Sequence, residues 1–250
     1  MKNELNIEPY YKKLIELGYE PFNYSEKHYI FSKENDIIKI ARSTYNCALI
    51  DESYCIEKCA HDILREKGFP AAKINKIYKP GELIDSFSVL EEEKIFGKVF
   101  YNKGCERYVL ERIIGVMESA TCIKLNNFGM MNQDGNAKYS SWSEYLNDVI
   151  EKNCCSEKKE HYKHLMTKIP KEVQASFVLT DCNTANFIFV GKDIKGIIDV
   201  ERPLCGDKDF LYGVIKARNP YMYGLVEDKI QPIKEKVHFY SEIYHLIFKQ

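Results

Sequence analysis

The stretch FVLTDCNTANFIFVGKDIKGIIDVERPLCGDKD, residues 177–209, decides how this chain is interpreted. It begins with an apolar run that leads to Asp181. After Asn186 come a β-type run, a polar turn and a second apolar run that ends at Asp199. Apolar runs of this length, separated by turn residues, predict a strand, a loop and a two-stranded hairpin. We expect this arrangement to bring two acids and an amide to one end of the sheet. Their oxygen atoms are of the hard type that binds Mg²⁺ shared with phosphate groups.

A second interpretation treats the same polar residues as ordinary turn formers. Asp181, Asn183 and Asn186 are of the types that favour turns, because their side chains form hydrogen bonds with the local backbone. This alternative stays open for any one of them alone. The order and spacing of the whole set favour the chemical interpretation.

The motif resembles that of the aminoglycoside phosphotransferases and choline kinases, a family of protein-kinase-like enzymes. It reads D-x-x-x-x-N over residues 181–186, I-D-x-E over residues 198–201, and G-D at residues 206–207. The spacing after Asp199 is closest to that of the hygromycin phosphotransferase branch. One departure is Leu179, which stands where the family usually has a histidine that packs around the metal-binding segment.

This resemblance implies an α+β, protein-kinase-like fold with two lobes. A small antiparallel β N-lobe with one helix would occupy residues 1–92 and bind the nucleotide. A larger, mainly helical C-lobe would occupy residues 93–250 and carry the catalytic loop, the metal site and the substrate-binding helices.

The resemblance also implies a role for each residue of the motif. Asp181 would orient or deprotonate the substrate hydroxyl, while Asn186 and Asp199 would hold Mg²⁺ on the phosphates of ATP or GTP. Glu201 and Asp207 are the candidates for contacts with the substrate, since an acidic cleft would suit a polycationic antibiotic.

A lysine stands in the middle of an apolar strand pattern in the N-terminal half. Lys39 lies within Ile37-Ile38-Lys39-Ile40, and a lysine is rarely buried on a strand unless it has a partner. By the resemblance, Lys39 contacts the α- and β-phosphates and pairs with a glutamate of the next helix. The alternative is a solvent-facing lysine on an edge strand.

The next helix is predicted from Asp51 to Lys67, with Asp51 as its N-cap. Glu57 borders the apolar stripe of this helix and is the candidate partner of the strand lysine. Glu52 and Glu66 are the competing choices, and Glu57 would otherwise form a surface pair along the helix.

Two further N-lobe segments are assigned by position. The turn over residues 23–28, which would cover the ATP phosphates, contains no glycine, and this predicts a weaker grip on the nucleotide. Glu91, Glu92 and Glu93 occupy the place of the hinge whose backbone binds the adenine, although a solvated acidic linker is an equally good interpretation of them.

Composition excludes several classes of protein. The net charge is −1, from 36 basic and 37 acidic residues, so no bulk attraction to nucleic acid or to a membrane is expected. The nine cysteines lack zinc-type spacing and are expected to be reduced thiols. No run approaches the length of a membrane span. We therefore expect a cytoplasmic monomer or weak dimer.

The sequence thus predicts a small-molecule kinase. It would transfer the γ-phosphate of ATP or GTP to a hydroxyl group, with an aminoglycoside-type antibiotic first among the acceptors and a related small alcohol next. A non-catalytic nucleotide-binding pseudokinase is the alternative, favoured by Leu179 and by the turn without glycine. A protein-kinase role ranks third, because no A-P-E segment or long activation loop follows Asp199.

Overall fold

The computed structural model of the chain describes residues 8–24, 27–41, 47–85, 87–101, 104–167, 169–170 and 172–248. Ser25 and Glu26, in the predicted phosphate-covering turn, lie outside the described residues. Within the described ranges, no helix has both the length and the apolar character needed to cross a membrane. The eight cysteines whose side chains the structure describes are free thiols.

The N-terminal lobe is a five-stranded antiparallel sheet with two helices. Its elements are α1 (Glu8–Glu16), β1 (Glu20–Tyr24), β2 (His28–Lys33), β3 (Asp36–Ala41), α2 (Cys47–Glu66), β4 (Ile74–Tyr78) and β5 (Val89–Glu93). The strand order is β1-β2-β3-β5-β4. This order places β3 directly beside β5 at the centre of the sheet.

Strand β3 is buried on both faces, which explains its nearly continuous apolar run. Ile38 and Ile40 point into a cluster that includes Leu14 of α1. The alternation of a strand puts Lys39 on the opposite face, towards α2, where the Tyr54 hydroxyl donates to its carbonyl at 3.2 Å. The burial of Lys39 follows from this register.

Two predicted boundaries in this lobe are wrong. Helix α2 begins at Cys47, so Asp51 lies one turn inside it and does not cap it. Its carboxylate instead accepts hydrogen bonds from Ser88 and, at 3.3 Å, from Lys79. The apolar pattern of residues 83–91 also predicts a strand over that whole range, but the strand begins only at Val89, because the preceding residues form turns.

The C-terminal lobe is mainly helical. Its elements are α3 (Arg107–Ala120), β6 (Gly129–Met130), α4 (Trp142–Asn153), α5 (Ser156–Met166), β7 (Ser176–Val178), β8 (Phe187–Val190), β9 (Asp193–Ile197), β10 (Leu204–Gly206), α6 (Phe210–Arg218), α7 (Pro220–Ile230) and α8 (Lys234–Ile247). Strands β6, β10 and β7 form a small sheet in that order, and β8 pairs with β9 in a hairpin. Ser141 caps α4, since its hydroxyl accepts from the Glu144 amide at 3.2 Å.

The β8–β9 hairpin is fixed to the chain on both sides of β5. Ala72 donates to the carbonyl of Ile197 at 3.0 Å, and Lys98 exchanges two backbone hydrogen bonds of 2.8 and 2.9 Å with Phe189. Gly97, directly before Lys98, lies so close to the hairpin that an added Cβ atom would be 2.6 Å from the Phe189 carbonyl oxygen. The N-terminal sheet is therefore held in a defined position over the hairpin that carries the predicted metal ligands.

Candidate active site

Asp181 lies in the loop after β7 and is held by that loop's own polar groups. Its Oδ1 atom accepts from the Asn183 amide at 3.0 Å, and its Oδ2 atom accepts from the Nδ2 group of Asn186 at 3.2 Å. The preceding hydroxyl, Thr180 Oγ1, donates to the Arg202 carbonyl at 2.6 Å and ties this loop to the segment after Asp199. The turn-type contacts expected of Asp181, Asn183 and Asn186 are therefore present, and Asp181 still faces the cavity described below.

The β8–β9 hairpin returns the chain to the same place. Phe187 pairs with Ile197, and the Ile198 amide donates to the Asn186 carbonyl at 3.0 Å. Asp199 then adopts a φ of 58°. Non-glycine residues are uncommon in this left-handed region, although Asp enters it more readily than most, and residues held there are frequent at functional sites.

Lys39 reaches across from the N-terminal lobe to Asp199. Its Nζ atom contacts the Asp199 carboxylate directly and lies 3.0 Å from Glu57 Oε1 and 3.1 Å from Glu92 Oε1. Lys39, Glu57 and Glu92 are 2%, 1% and 3% exposed, respectively. We call these four residues the Lys39 cluster. The competing acids on α2, Glu52 and Glu66, are solvent-exposed.

Burial and charge oppose each other within the Lys39 cluster. Burial alone would lower the pKa of Lys39, but the carboxylates of Asp199, Glu57 and Glu92 outweigh it and hold that pKa well above the usual value. Burial tends to raise the pKa of Asp199, but the charge of Lys39 outweighs burial, so the pKa of Asp199 is lowered. For Glu92 burial prevails over Lys39 and raises the pKa to about 7. Lysine is therefore charged here, and Asp199 is an anion.

A cavity of about 580 Å³ lies below the cluster, between the two lobes. Asp181, Asn186 and Asp199 line it together with Glu201. The N-terminal lobe contributes Lys27 and His28 to its wall, and the C-terminal lobe contributes a group of cationic and aromatic residues, Arg202, Arg218, Tyr244 and Phe248. The two predicted metal ligands and the predicted hydroxyl-orienting acid thus share one space.

The oxygen donors of Asn186 and Asp199 suit a cation that also binds water or phosphate oxygens. Among the described residues, no group of three or more His, Cys, Asp or Glu side chains could enclose a metal ion. Asp199 offers a side chain that is 34% exposed. Asn186 uses its amide nitrogen on Asp181, so its oxygen is the atom left for a cation. Two oxygen ligands beside a cavity fit Mg²⁺, which retains water and shares phosphate oxygens.

The two substrate candidates have different positions. Glu201 lines the cavity, where its Oε2 atom lies 2.5 Å from Lys27 Nζ and its Oε1 atom 3.9 Å from His28 Nδ1. Asp207 is buried instead and accepts from the Tyr240 hydroxyl at 2.8 Å and from Lys236 at 2.7 Å. Since Asp207 is absent from the cavity wall, we correct its assignment to a structural one: it anchors α8.

The three glutamates of the predicted hinge also differ in their positions. Glu92 belongs to the Lys39 cluster, whereas Glu91 lies on the other face of β5 and accepts from the Tyr19 and Tyr78 hydroxyls at 3.2 and 2.9 Å. The backbone of β5 pairs with β3 on one side and β4 on the other, and the Glu93 amide donates to Lys73 at 2.8 Å. The expectation that these acids contact the base through their backbone is therefore revised.

Sequence reasoning missed several residues of the site. Nothing in a run of three glutamates marked Glu92 as the one that faces Lys39; only the strand alternation, counted from the correct start of β5, would have done so. A polar turn without glycine gives no sequence signal that Lys27 and His28 line the cavity. Tyr244 and Phe248 lie at the end of α8, too far along the chain for any spacing rule to connect them with Asp181.

Known protein structures resemble this one closely, although sequences do not. No protein-family profile and no curated protein sequence matches the chain. A ternary complex of a thermostable mutant of aminoglycoside phosphotransferase APH(4)-Ia with ADP and hygromycin B superposes with a TM-score of 0.72 at 13% identity, covering 97% of this chain and 89% of that one. The GDP complex of aminoglycoside 2'-phosphotransferase-IIIa superposes with a TM-score of 0.61 at 9% identity, covering 97% and 90%. The chain therefore has the two-lobed, protein-kinase-like fold of the aminoglycoside phosphotransferases, as its motif predicted.

Proposed function

We propose that this protein is a small-molecule kinase that transfers the γ-phosphate of ATP or GTP to a hydroxyl group. One observation carries the proposal: Lys39 of the N-terminal lobe contacts Asp199 of the C-terminal lobe, and Asp199 shares its cavity with Asp181 and Asn186. The side chains of an ordinary solvated turn would not be expected to lie beside a buried lysine. Complexes of the similar structures with AMP-PNP, ADP and GDP support a nucleotide as one substrate.

Asp181 is the residue that acts on the acceptor. Its two oxygens are oriented by donors from Asn183 and Asn186, which fixes the carboxylate while keeping it at the cavity wall. A carboxylate so placed accepts a hydrogen bond from the acceptor hydroxyl and aligns it with the γ-phosphorus. It takes the hydroxyl proton as the new O–P bond forms and the bond from the γ-phosphorus to the β,γ-bridging oxygen breaks, which releases ADP or GDP. Orientation matters here because a loose transition state needs little more than alignment and charge compensation.

Asp199 and Asn186 are the residues that would hold Mg²⁺ on the phosphates. The ion supplies positive charge that offsets the charge on the transferring group. Lys39 adds a fixed ammonium, and Glu57 holds that ammonium in place from the buried side. Asp199, whose side chain is 34% exposed beside Lys39, would be the anionic ligand of the ion.

The acceptor class follows from the family that the fold resembles. An aminoglycoside-type antibiotic ranks first and a related small alcohol second, since the similar structures include complexes with hygromycin B and with kanamycin. Glu201 is the acid of the cavity wall that would face such an acceptor. In this proposal the protein acts in the cytoplasm, as a monomer or weak dimer.

The test is a phosphorylation screen with purified protein. ATP or GTP labelled in the γ-phosphate is supplied with Mg²⁺ and a panel of aminoglycosides, amino alcohols, choline and sugars, and labelled products are separated and identified. Transfer to one acceptor class, lost in Asp181→Asn, supports the proposal. Nucleotide binding without transfer to any acceptor would favour the pseudokinase alternative, and no binding at all would contradict both.

A further inference from the structure

The turn between β1 and β2 carries a lysine where protein kinases have glycine. Lys27 follows the part of this turn that lies outside the described residues, and residues 23–28 contain no glycine at all. Glycine-rich turns bind phosphates because their backbone amides can approach closely in conformations that other residues avoid. A turn without glycine needs another source of positive charge for the same task.

Lys27 faces the carboxylates of the candidate active site. Its Nζ atom lies 2.5 Å from Glu201 Oε2, in the wall of the cavity that also contains Asp181 and Asp199. The lysine side chain is 66% exposed and that of Glu201 only 15%, so the acid is the fixed partner and the lysine the movable one. The four-carbon stem of lysine lets the ammonium move by several ångströms without a change in the backbone.

The charges of this region favour an exchange of partners. Partial burial lowers the pKa of Lys27, but Glu201 and, to a smaller extent, Asp181 and Asp199 outweigh it, so that pKa is raised. His28, the other residue that this turn contributes, has a pKa lowered mainly by burial, so it adds no full charge near neutral pH. A nucleotide triphosphate brings several negative charges into the cavity. Lys27 is then the turn's cation that can meet them.

We infer that Lys27 is a phosphate-binding residue: its ammonium leaves Glu201 and contacts the terminal phosphates of the nucleotide, in place of glycine-loop amides. The inference rests on the proposed function. It also gives Glu201 a second role, as the group that holds Lys27 over the cavity while no nucleotide is bound. The ligand recognised is the polyphosphate chain, and the base and ribose make no part of the contact.

The test is calorimetric titration of the full chain with Mg-ATP and, separately, with adenosine. Lys27→Met should weaken Mg-ATP binding by roughly tenfold or more, because one charged contact is lost, and should leave adenosine binding unchanged. Lys12→Met, at a lysine of α1 that is 87% exposed, is the matched control and should match wild type for both ligands. Glu201→Gln should bind Mg-ATP at least as tightly as wild type, since it no longer competes for the ammonium.

Unchanged Mg-ATP affinity in Lys27→Met would overturn the inference, and so would an equal loss for ATP and adenosine, which would indicate a structural role. A loss in Glu201→Gln as large as that in Lys27→Met would also contradict it, because the ion pair itself would then be what binding requires. Failure of wild type to bind either ligand would instead remove the proposed function, and this inference with it.

Discussion

The ammonium group of Lys39 and the carboxylate of Asp199 are in direct contact, although 160 positions in the chain separate them and they belong to different lobes. The contact joins the central strand of the N-terminal sheet to the end of the β8–β9 hairpin. Each residue is therefore a counter-ion of the other. A change at either one should alter both nucleotide binding and the stability of the buried cluster.

We expect Asp199→Asn to lose Mg²⁺-dependent affinity for ATP. The amide removes the anionic ligand of the pair formed with Asn186, so the Mg²⁺ contribution should fall by about tenfold or more, as expected for the loss of a charged ligand. Calorimetric titration with ATP in the presence of Mg²⁺ or of EDTA measures this contribution. Asp193→Asn, at an exposed position of β9, is the control. Equal Mg²⁺ dependence in Asp199→Asn and wild type would contradict the metal assignment.

Lys39→Met should destabilise the fold as well as the site. It leaves the buried Glu57 and Glu92 without their cation, and loss of one partner of a buried ion pair costs about 3–5 kcal/mol. Lys39 holds the pKa of Glu92 down, so without Lys39 the Glu92 carboxyl should be protonated at neutral pH, and adding Glu92→Gln should change the stability of this variant little. Urea unfolding at pH 7 followed by circular dichroism measures both variants. A Lys39→Met variant as stable as wild type would contradict the structural role of this lysine in the buried cluster.

Glu92 should make stability depend on pH. Its pKa in an unfolded chain is near the ordinary value of 4.5, and burial raises it to about 7 in the folded state. Between these values the folded state binds more protons, so this residue's contribution to the free energy of unfolding falls as pH rises from about 4.5 to 7 and is level above. The slope is at most ~1.4 kcal/mol per pH unit for one proton.

Glu92→Gln removes this titration. The urea midpoints of wild type and Glu92→Gln are measured between pH 5 and pH 8. Their difference at each pH reports the contribution of Glu92, since all other titratable groups are common to both proteins. We expect the difference to change up to neutral pH and then to stay constant. A difference independent of pH over this range would refute the assignment.

Gly97→Ala should destabilise the junction between the lobes. The added Cβ atom would lie 2.5 Å from Ile188 Cγ2 and 2.6 Å from the Phe189 carbonyl oxygen, so the linker must move away from the hairpin. Overpacking of this kind costs about 1–3 kcal/mol. Gly115→Ala is the matched control, because this glycine of α3 is exposed and has open space around it. That change should raise helix stability by about 0.5–1 kcal/mol. Thermal unfolding of both variants measures the contrast, and equal shifts would contradict the close contact at Gly97.

The sequence predicted the fold through residues 177–209, where order and spacing constrain the chain most strongly. The β7 strand, the loop and the hairpin lie where the apolar runs and the turn residues between them predicted these elements. Lys39 was identifiable for a similar reason, since a lysine flanked by isoleucines on a strand needs a partner. Its actual partners could not be counted from the pattern. Glu92 became a third carboxylate of the cluster only through the pairing of β3 with β5.

The errors have physical causes as well. Asp51 is of a residue type that favours helix N-caps, but α2 begins one turn before it, at Cys47. The Asp51 carboxylate contacts Ser88 and Lys79 instead. Asp207 follows a glycine in the motif and was assigned to the substrate, yet Tyr240 and Lys236 of α8 draw it into the core. Helix α8 lies beyond the motif in the chain, and no spacing rule predicts where it packs.

The most direct test of the account measures transfer of the labelled γ-phosphate of Mg-ATP or Mg-GTP to the acceptor found in the screen, for wild type and Asp181→Asn in parallel with nucleotide binding. We predict that Asp181→Asn binds the nucleotide with an affinity close to that of wild type and transfers its phosphate at least about a thousandfold more slowly, as expected when the group that aligns and deprotonates the acceptor is lost. Transfer by Asp181→Asn at the wild-type rate would contradict the proposed phosphotransferase site.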